Sequence, residues 1–214
     1  TTKQGKEGKT KVSWRSTAGW SSRSLKAYDM VDQKEFVQLT YEGLRNGYIF
    51  DNGYNWEAAG RQASADLGGV LGGEQYNPFK NYTWGTIIDP ATGRVQGDAT
   101  SAWNESWMDA IQRDNAFRHE HQLSVNGGTE KTKYMKTGLN VSLSNSTQNF
   151  SDYEGSSNSN VWYSAQFMAP IYPVYIKGED GKDVLDADGN RQLDYGDGSV
   201  QRPQYSDFNP VGGL

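Results

Sequence analysis

Residues 10–22 read TKVSWRSTAGWSS, with Val12, Trp14, Ala18 and Trp20 on one parity and Ser13, Arg15 and Thr17 on the other. Side chains alternate between the two faces of a strand, so this spacing predicts a strand with one apolar face. The same alternation returns in KTGLNVSLSNST, where Leu139, Val141 and Leu143 oppose Asn140, Ser142 and Ser144. EHQLSVNGGTEKTKYM adds a strand with Leu123 and Val125 on one face, a Gly127–Gly128 turn and a return beginning at 131–135. Apolar positions facing one way and small polar ones the other form the pattern of a barrel wall with a wet interior.

A different period governs VDQKEFVQLTYEGLRNG. Asp32 precedes Glu35 by three residues, a capping-box spacing, and Phe36, Leu39 and Leu44 recur near a helical repeat. A helix over about 32–45 is predicted. A second, short helix is predicted in SAWNESWMDAIQRD, where Trp103, Trp107, Ala110 and Ile111 fall at helical spacing and Ser101 is the candidate cap. Between them, 46–100 carries Gly68–Gly69, Gly72–Gly73 and several Asn and Asp breakers with no sustained period. Loops of that length in a compact domain are commonly functional, and Tyr54, Trp56, Tyr76, Tyr82 and Trp84 supply more aromatic content than disorder would.

Composition changes this picture in two ways. Of 214 residues only 35% are hydrophobic, while 13 are Tyr and 7 are Trp, so much of the apolar content lies in rings suited to sheets, interfaces and sugar-binding surfaces. A net charge of -5 supplies no basic field for nucleic acid. The chain has no Cys, hence neither a disulfide framework nor a thiolate metal site. No apolar run approaches the roughly 18 residues of a membrane helix, a test to which membrane β-strands are invisible.

Candidate chemistry is sparse. His119 and His121 share a strand face without a further ligand at metal-site spacing, which makes them polar strand residues. No nucleophile with an activating partner and no acid–base pair stands out, so no enzyme is predicted. The acidic stretch contains one pattern: Asp186, Asp188 and Asn190 repeat the start of a calcium loop, with Asp194 and Asp197 as further oxygen ligands. Arg191 occupies the place of the turn glycine, and Asp197 that of the bidentate Glu. A solvated acidic turn is the simpler reading of the same residues.

In order along the chain, TTKQGKEGK, the strand ending in GWS, WMDAI, HQLSVNGGTEKTKYM, KTGLNVSLS and FMAPIYPVY followed by DGNRQLDYGDG resemble the SusC/RagA family of TonB-dependent outer-membrane transporters. The resemblance runs from Thr1 to about Gly198. It implies a mainly β fold, a slice of an antiparallel transmembrane β-barrel with long loops carrying short helices. On that plan 1–9 end the plug, 10–24 form the first barrel strand and 25–118 a long extracellular loop. A hairpin would follow at 119–135, a later barrel strand at 136–147 and a second extracellular loop at 148–214. The family completes the returning strand where KYM here runs directly into KTGLN, so about one hairpin is expected to be missing.

The implied function is import of oligosaccharides or peptides across the outer membrane of a Gram-negative bacterium, with a SusD-like surface lipoprotein as lid. Energy would come from the TonB complex through parts outside this chain, and the remainder of the barrel would complete the wall. Tyr54, Trp56, Tyr82, Trp84, Trp162 and Tyr163 lie in the segments this plan places outside, and include the expected ligand-facing or lid-facing rings. The alternative is a soluble or surface glycan-binding β module with a structural calcium loop. No cofactor is required on either reading.

Overall fold

The computed structural model describes residues 11–22, 24, 28–112, 116–128, 138–145, 160–196 and 209–213. The chain divides into two compact units, one built from 1–26 and 113–150, the other from 27–112 and 151–214.

The first unit is a three-stranded antiparallel sheet in the order β1 (Lys11–Ser21), β4 (Ala116–Gly128), β5 (Gly138–Asn145). Its register places Val12 opposite Val125, Trp14 opposite Leu123 and Trp20 opposite Phe117, so the apolar positions of β1 and β4 share one face. The next strand continues the row, with Val141 opposite Val125 and Leu143 opposite Leu123. On the other face the Ser13 and Ser124 hydroxyls bond at 2.6 Å. The apolar face is open: Val12 is 62% exposed, Trp14 69%, Trp20 70% and Phe117 56%. His119 and His121 lie on it too, in a chain of ring contacts from Trp20 through Phe117, His119 and His121 to Trp14. The Gly127–Gly128 pair, expected as a turn, lies within β4 and pairs with Leu139 and Gly138. The expected return at 131–135 lies outside the described residues, as does the expected plug segment 1–9. The strand expected to be separated by a missing hairpin is β4's direct neighbour.

The second unit is helical, so helix outweighs strand among the described elements. Helix α1 (Gln33–Phe50) opens on the expected capping box: Asp32 accepts from the Glu35 amide, and Glu35 accepts from the Asp32 amide. It runs past the expected end at Arg45. Helix α2 (Trp56–Val70), capped by Asn55, occupies part of the stretch read as aperiodic. Its buried face is Ala59, Ala63 and Leu67, two of them small. At Gly60 an added Cβ would fall 2.9 Å from the Tyr41 hydroxyl, so this glycine lets the two helices approach. Helix α3 (Trp107–Ile111) is shorter than expected and is capped by Ser106; Ser101 instead bonds the Gln33 side chain. A two-stranded ribbon pairs β2 (Ile88–Asp89) with β3 (Arg94–Val95), and helix α4 (Val161–Phe167) was not foreseen.

The apolar phrase following α4 is core. Ile171, Tyr172 and Val174 are buried, and the carbonyls of Ile171 and Tyr172 accept the indole N–H groups of Trp103 and Trp107 at 2.9 and 3.0 Å. Buried Gln33 donates to the carbonyls of Trp103 and Pro170. The segment turns at 169–172, where the Tyr172 N–H donates to the Ala169 carbonyl, and the two Trp side chains and Gln33 satisfy the carbonyls of Pro170, Ile171 and Tyr172.

The acidic stretch after this phrase folds on itself in a ring. Ile176 N–H donates to the Gln192 carbonyl, Gln192 to Val184 and Val184 back to Ile176, at 2.9, 3.1 and 2.9 Å. Each of the segments 174–178, 182–186 and 190–194 therefore bridges both others. Two corner bonds repeat the same four-residue offset, Gly178 to Lys182 and Asp186 to Asn190, and the third, Asp194 to Val174, joins the last segment back to the first. The equivalent positions are eight residues apart, and the sequence carries that period as DGKDVLD (180–186) and DGNRQLD (188–194). Gly181 and Gly189 take φ of 79° and 83°, where a side chain is strained. Asn209 closes the ring by donating to the carbonyls of Val174 and Asp194.

The turns of this trefoil make it acid-sensitive. Backbone N–H donation from Lys182 holds the Asp180 carboxyl below its ordinary value of 3.8, and donation from Asn190 does the same for Asp186. Both folded-state values are depressed, so their stabilisation is complete above the unfolded value and is lost as pH falls through the folded one. Relative to the intrinsic exchange rate at each pH, the protection of the 176, 184 and 192 amides should fall below about pH 4. In Asp186→Asn the amide oxygen still accepts, and the acid dependence should weaken; an unchanged dependence would remove Asp186 from the explanation.

Candidate functional site

The exposed end of the α1–α2 hairpin gathers most of the uncommitted chemistry of the second unit. Tyr54 and Trp56 lie in the short connection and first turn of α2, where Asn55 caps the helix and fixes the direction of entry. Tyr54 stacks on Tyr48 of α1, with centroids 5.7 Å apart and planes inclined by 20°. The Tyr48 hydroxyl donates to Asp66 of α2, and Gln62 donates to the same carboxylate oxygen at 2.8 Å. These bonds hold the Asp66 carboxyl below its ordinary range, the Tyr48 bond contributing most, and that bond raises the Tyr48 phenol. Both groups thus keep their neutral-pH forms, phenol and carboxylate.

Beside them, the Arg45 guanidinium lies 3.8 Å from the Trp56 ring centroid and 5.3 Å from that of Tyr41. Trp56 remains 64% exposed despite this stacking, so much of the indole faces solvent. Gly93, in the turn between β2 and β3, has φ of 64°, and a Cβ there would come 3.4 Å from an Arg45 terminal nitrogen. The glycine keeps the turn close against the guanidinium.

The six rings expected to face a ligand separate into different settings. Tyr54 and Trp56 both lie at the α1–α2 connection, Tyr54 against Tyr48 and Trp56 against Arg45. Trp84 belongs to the core: it is 1% exposed, donates its indole N–H to the Gly73 carbonyl at 2.9 Å and packs over Gly68. Tyr82 is half-buried, with its hydroxyl on Asp98 at 2.7 Å. Trp162 and Tyr163 are exposed on α4, where Tyr163 packs against Phe167 at 4.6 Å. Sequence reading missed Arg45, Tyr48, Gln62 and Asp66; the i, i+4 pair Gln62 and Asp66 was its only available signal.

Among the described residues no group of three His or acidic side chains is placed to hold a metal; of the expected calcium ligands, the Asn190 side-chain amide lies 3.4 Å from the Asp186 carboxylate. Asp186 accepts from the amides of Asp188 and Asn190, while Asp194 is buried and accepts from that of Gly196. Asp188 and Asn190 are exposed, and Asp197 lies outside the described residues. Among the described residues no helix is long and apolar enough to cross a membrane. Comparison with protein-family models, curated proteins and solved structures gives no match.

Proposed function

We propose that this chain is part of a TonB-dependent outer-membrane importer of the SusC/RagA type, in which β1, β4 and β5 are wall strands. The observation carrying this reading is the open, mainly apolar face of the sheet, formed by Val12, Trp14, Trp20, Phe117 and Leu123 with Ser16, His119 and His121 between them, and with Ser13, Ser124, Arg118, Glu120 and Gln122 on the other parity. A sheet in water buries such a face against a second layer; a barrel wall turns it to lipid and its polar face to the lumen. At 11 residues β1 has the length of a tilted membrane strand, about 9–11 residues. The outer edges of β1 and β5 would be paired by the remaining barrel strands, because an open edge is not tolerated in a bilayer.

On this reading the second unit is loop structure outside the membrane, available to an oligosaccharide or peptide and to a SusD-like lipoprotein. A surface glycan-binding module is the second reading, favoured by the exposed Tyr54 and Trp56. Fractionation of cells making the full gene product separates the two. The importer should stay with outer membranes until detergent is added, whereas release by salt or alkali alone would overturn this reading. Within the membrane, Leu123→Arg should cost roughly 2–4 kcal/mol near the midplane, while Ser13→Arg on the opposite face should leave barrel yield nearly unchanged. Equal tolerance at both positions, measured as heat-modifiable barrel on gels, would remove the sided wall.

A further inference from the structure

We infer that the Arg45–Trp56 corner binds an acidic sugar, with the carboxylate of a uronic acid on the guanidinium and the sugar ring against the exposed aromatic surface of Tyr54 and Trp56. The starting observation is an unmet cation. Arg45 Nε is buried without a hydrogen-bond partner. The neighbouring acids are committed elsewhere: Glu42 pairs with Arg94 at 3.6 Å, Glu57 with Arg61 at 2.7 Å, and Asp66 accepts from Tyr48 and Gln62. A buried N–H with no acceptor is costly, and native proteins satisfy such groups with a partner, water or ligand.

The fork is also held in position. Contacts with Tyr41 and Trp56, together with the Gly93 turn beside the terminal nitrogen, limit its rotation, so little side-chain entropy remains to be lost on binding. Carboxylate is the anion such a fork accepts with two parallel bonds. A sugar fits better than a peptide because the Trp56 ring against the cation is 64% exposed, with the partly exposed Tyr54 two residues before it in the chain, and a pyranose presents a flat C–H face to such a ring.

This assignment rests on the ligand-facing role proposed for Tyr54 and Trp56, but not on transport or on the barrel. The test uses the whole chain and a uronic-acid disaccharide, its methyl ester and a short acidic peptide as probes, titrated by calorimetry. The free acid should bind roughly tenfold to a hundredfold more tightly than the ester. Arg45→Gln should remove that preference while its circular dichroism and melting temperature stay close to the parent's. The acid-against-ester comparison needs no variant, so it decides the point even if Arg45→Gln folds poorly. No binding of the acid, equal binding of acid and ester, or an Arg45-dependent preference for the peptide would each overturn the proposal. Binding of the acid by a protein that leaves the membrane without detergent would uphold it while the importer reading fails.

Discussion

Trp84→Ala should destabilise the helical unit by about 3–5 kcal/mol, the range for deleting a large aromatic side chain from a packed core. Trp84 is among the largest fully buried side chains, and its surroundings are built to its shape. A Cβ at Gly68 would press to 3.2 Å against the indole, so α2 has a glycine where this ring lies on the helix. The indole N–H also satisfies the Gly73 carbonyl, which would lose that partner. The main-chain amide of residue 84 would still donate to Glu74, so the loop keeps one anchor while a cavity opens beneath it. Urea unfolding followed by circular dichroism at helical wavelengths measures the loss. A change below about 1 kcal/mol would mean that the loop collapses into the space, contrary to a close-packed interior. Trp56→Ala, at the exposed corner, should cost far less, because most of its ring already meets water.

Local signals were legible where side chains act on neighbours in sequence. The Asp32–Glu35 capping box and the parity of β1 follow from backbone geometry alone, and both are present in the structure. Helix α2 was hidden because its buried stripe, Ala59, Ala63 and Leu67, holds one large apolar residue, and Gly60 and Gly68, which serve close contacts, read as breakers in sequence. Ser101 was a reasonable cap by type, yet its hydroxyl is used by Gln33, a partner 68 positions away. The site was only half visible for the same reason. Exposed rings can be suspected from composition, whereas the guanidinium beside Trp56 depends on how α1 meets α2. Trp84 illustrates the converse: aromatic density in an apparent loop was read as ligand surface, and the structure uses that ring as core. The trefoil was written in the sequence as an eight-residue repeat, but the calcium-like spacing of Asp186, Asp188 and Asn190 drew attention to the turns rather than to the period.

Lys177→Met should cost the helical unit about 3 kcal/mol, toward the lower end of the loss seen when one member of a buried ion pair is removed. The Lys177 side chain is 6% exposed and its ammonium reaches both Glu105 and Asp183. Burial pushes its pKa down, but the hydrogen bonds to Asp183 and then Glu105 outweigh it, so the net shift is upward and the group is charged at neutral pH. Glu105 holds the same region by a second route, accepting the Val174 N–H at 2.7 Å; the triad thereby joins the loop before α3 to the first segment of the trefoil. Methionine preserves most of the aliphatic stem but leaves two carboxylates near each other without their shared cation. Each carboxylate side chain is 25% exposed, and Arg191 lies 3.8 Å from Asp183, which moderates the cost. Adding Glu105→Gln to Lys177→Met should recover part of the loss, since it removes one of the stranded charges; additive losses would show that the pair is not coupled. The alkaline limb provides a separate check. A raised folded-state pKa stabilises fully below the unfolded value of 10.5 and is lost as pH climbs through the folded one. Wild type should therefore weaken above about pH 10.5 by a step that Lys177→Met lacks, and parallel pH profiles for the two proteins would exclude Lys177 as the group that holds this junction.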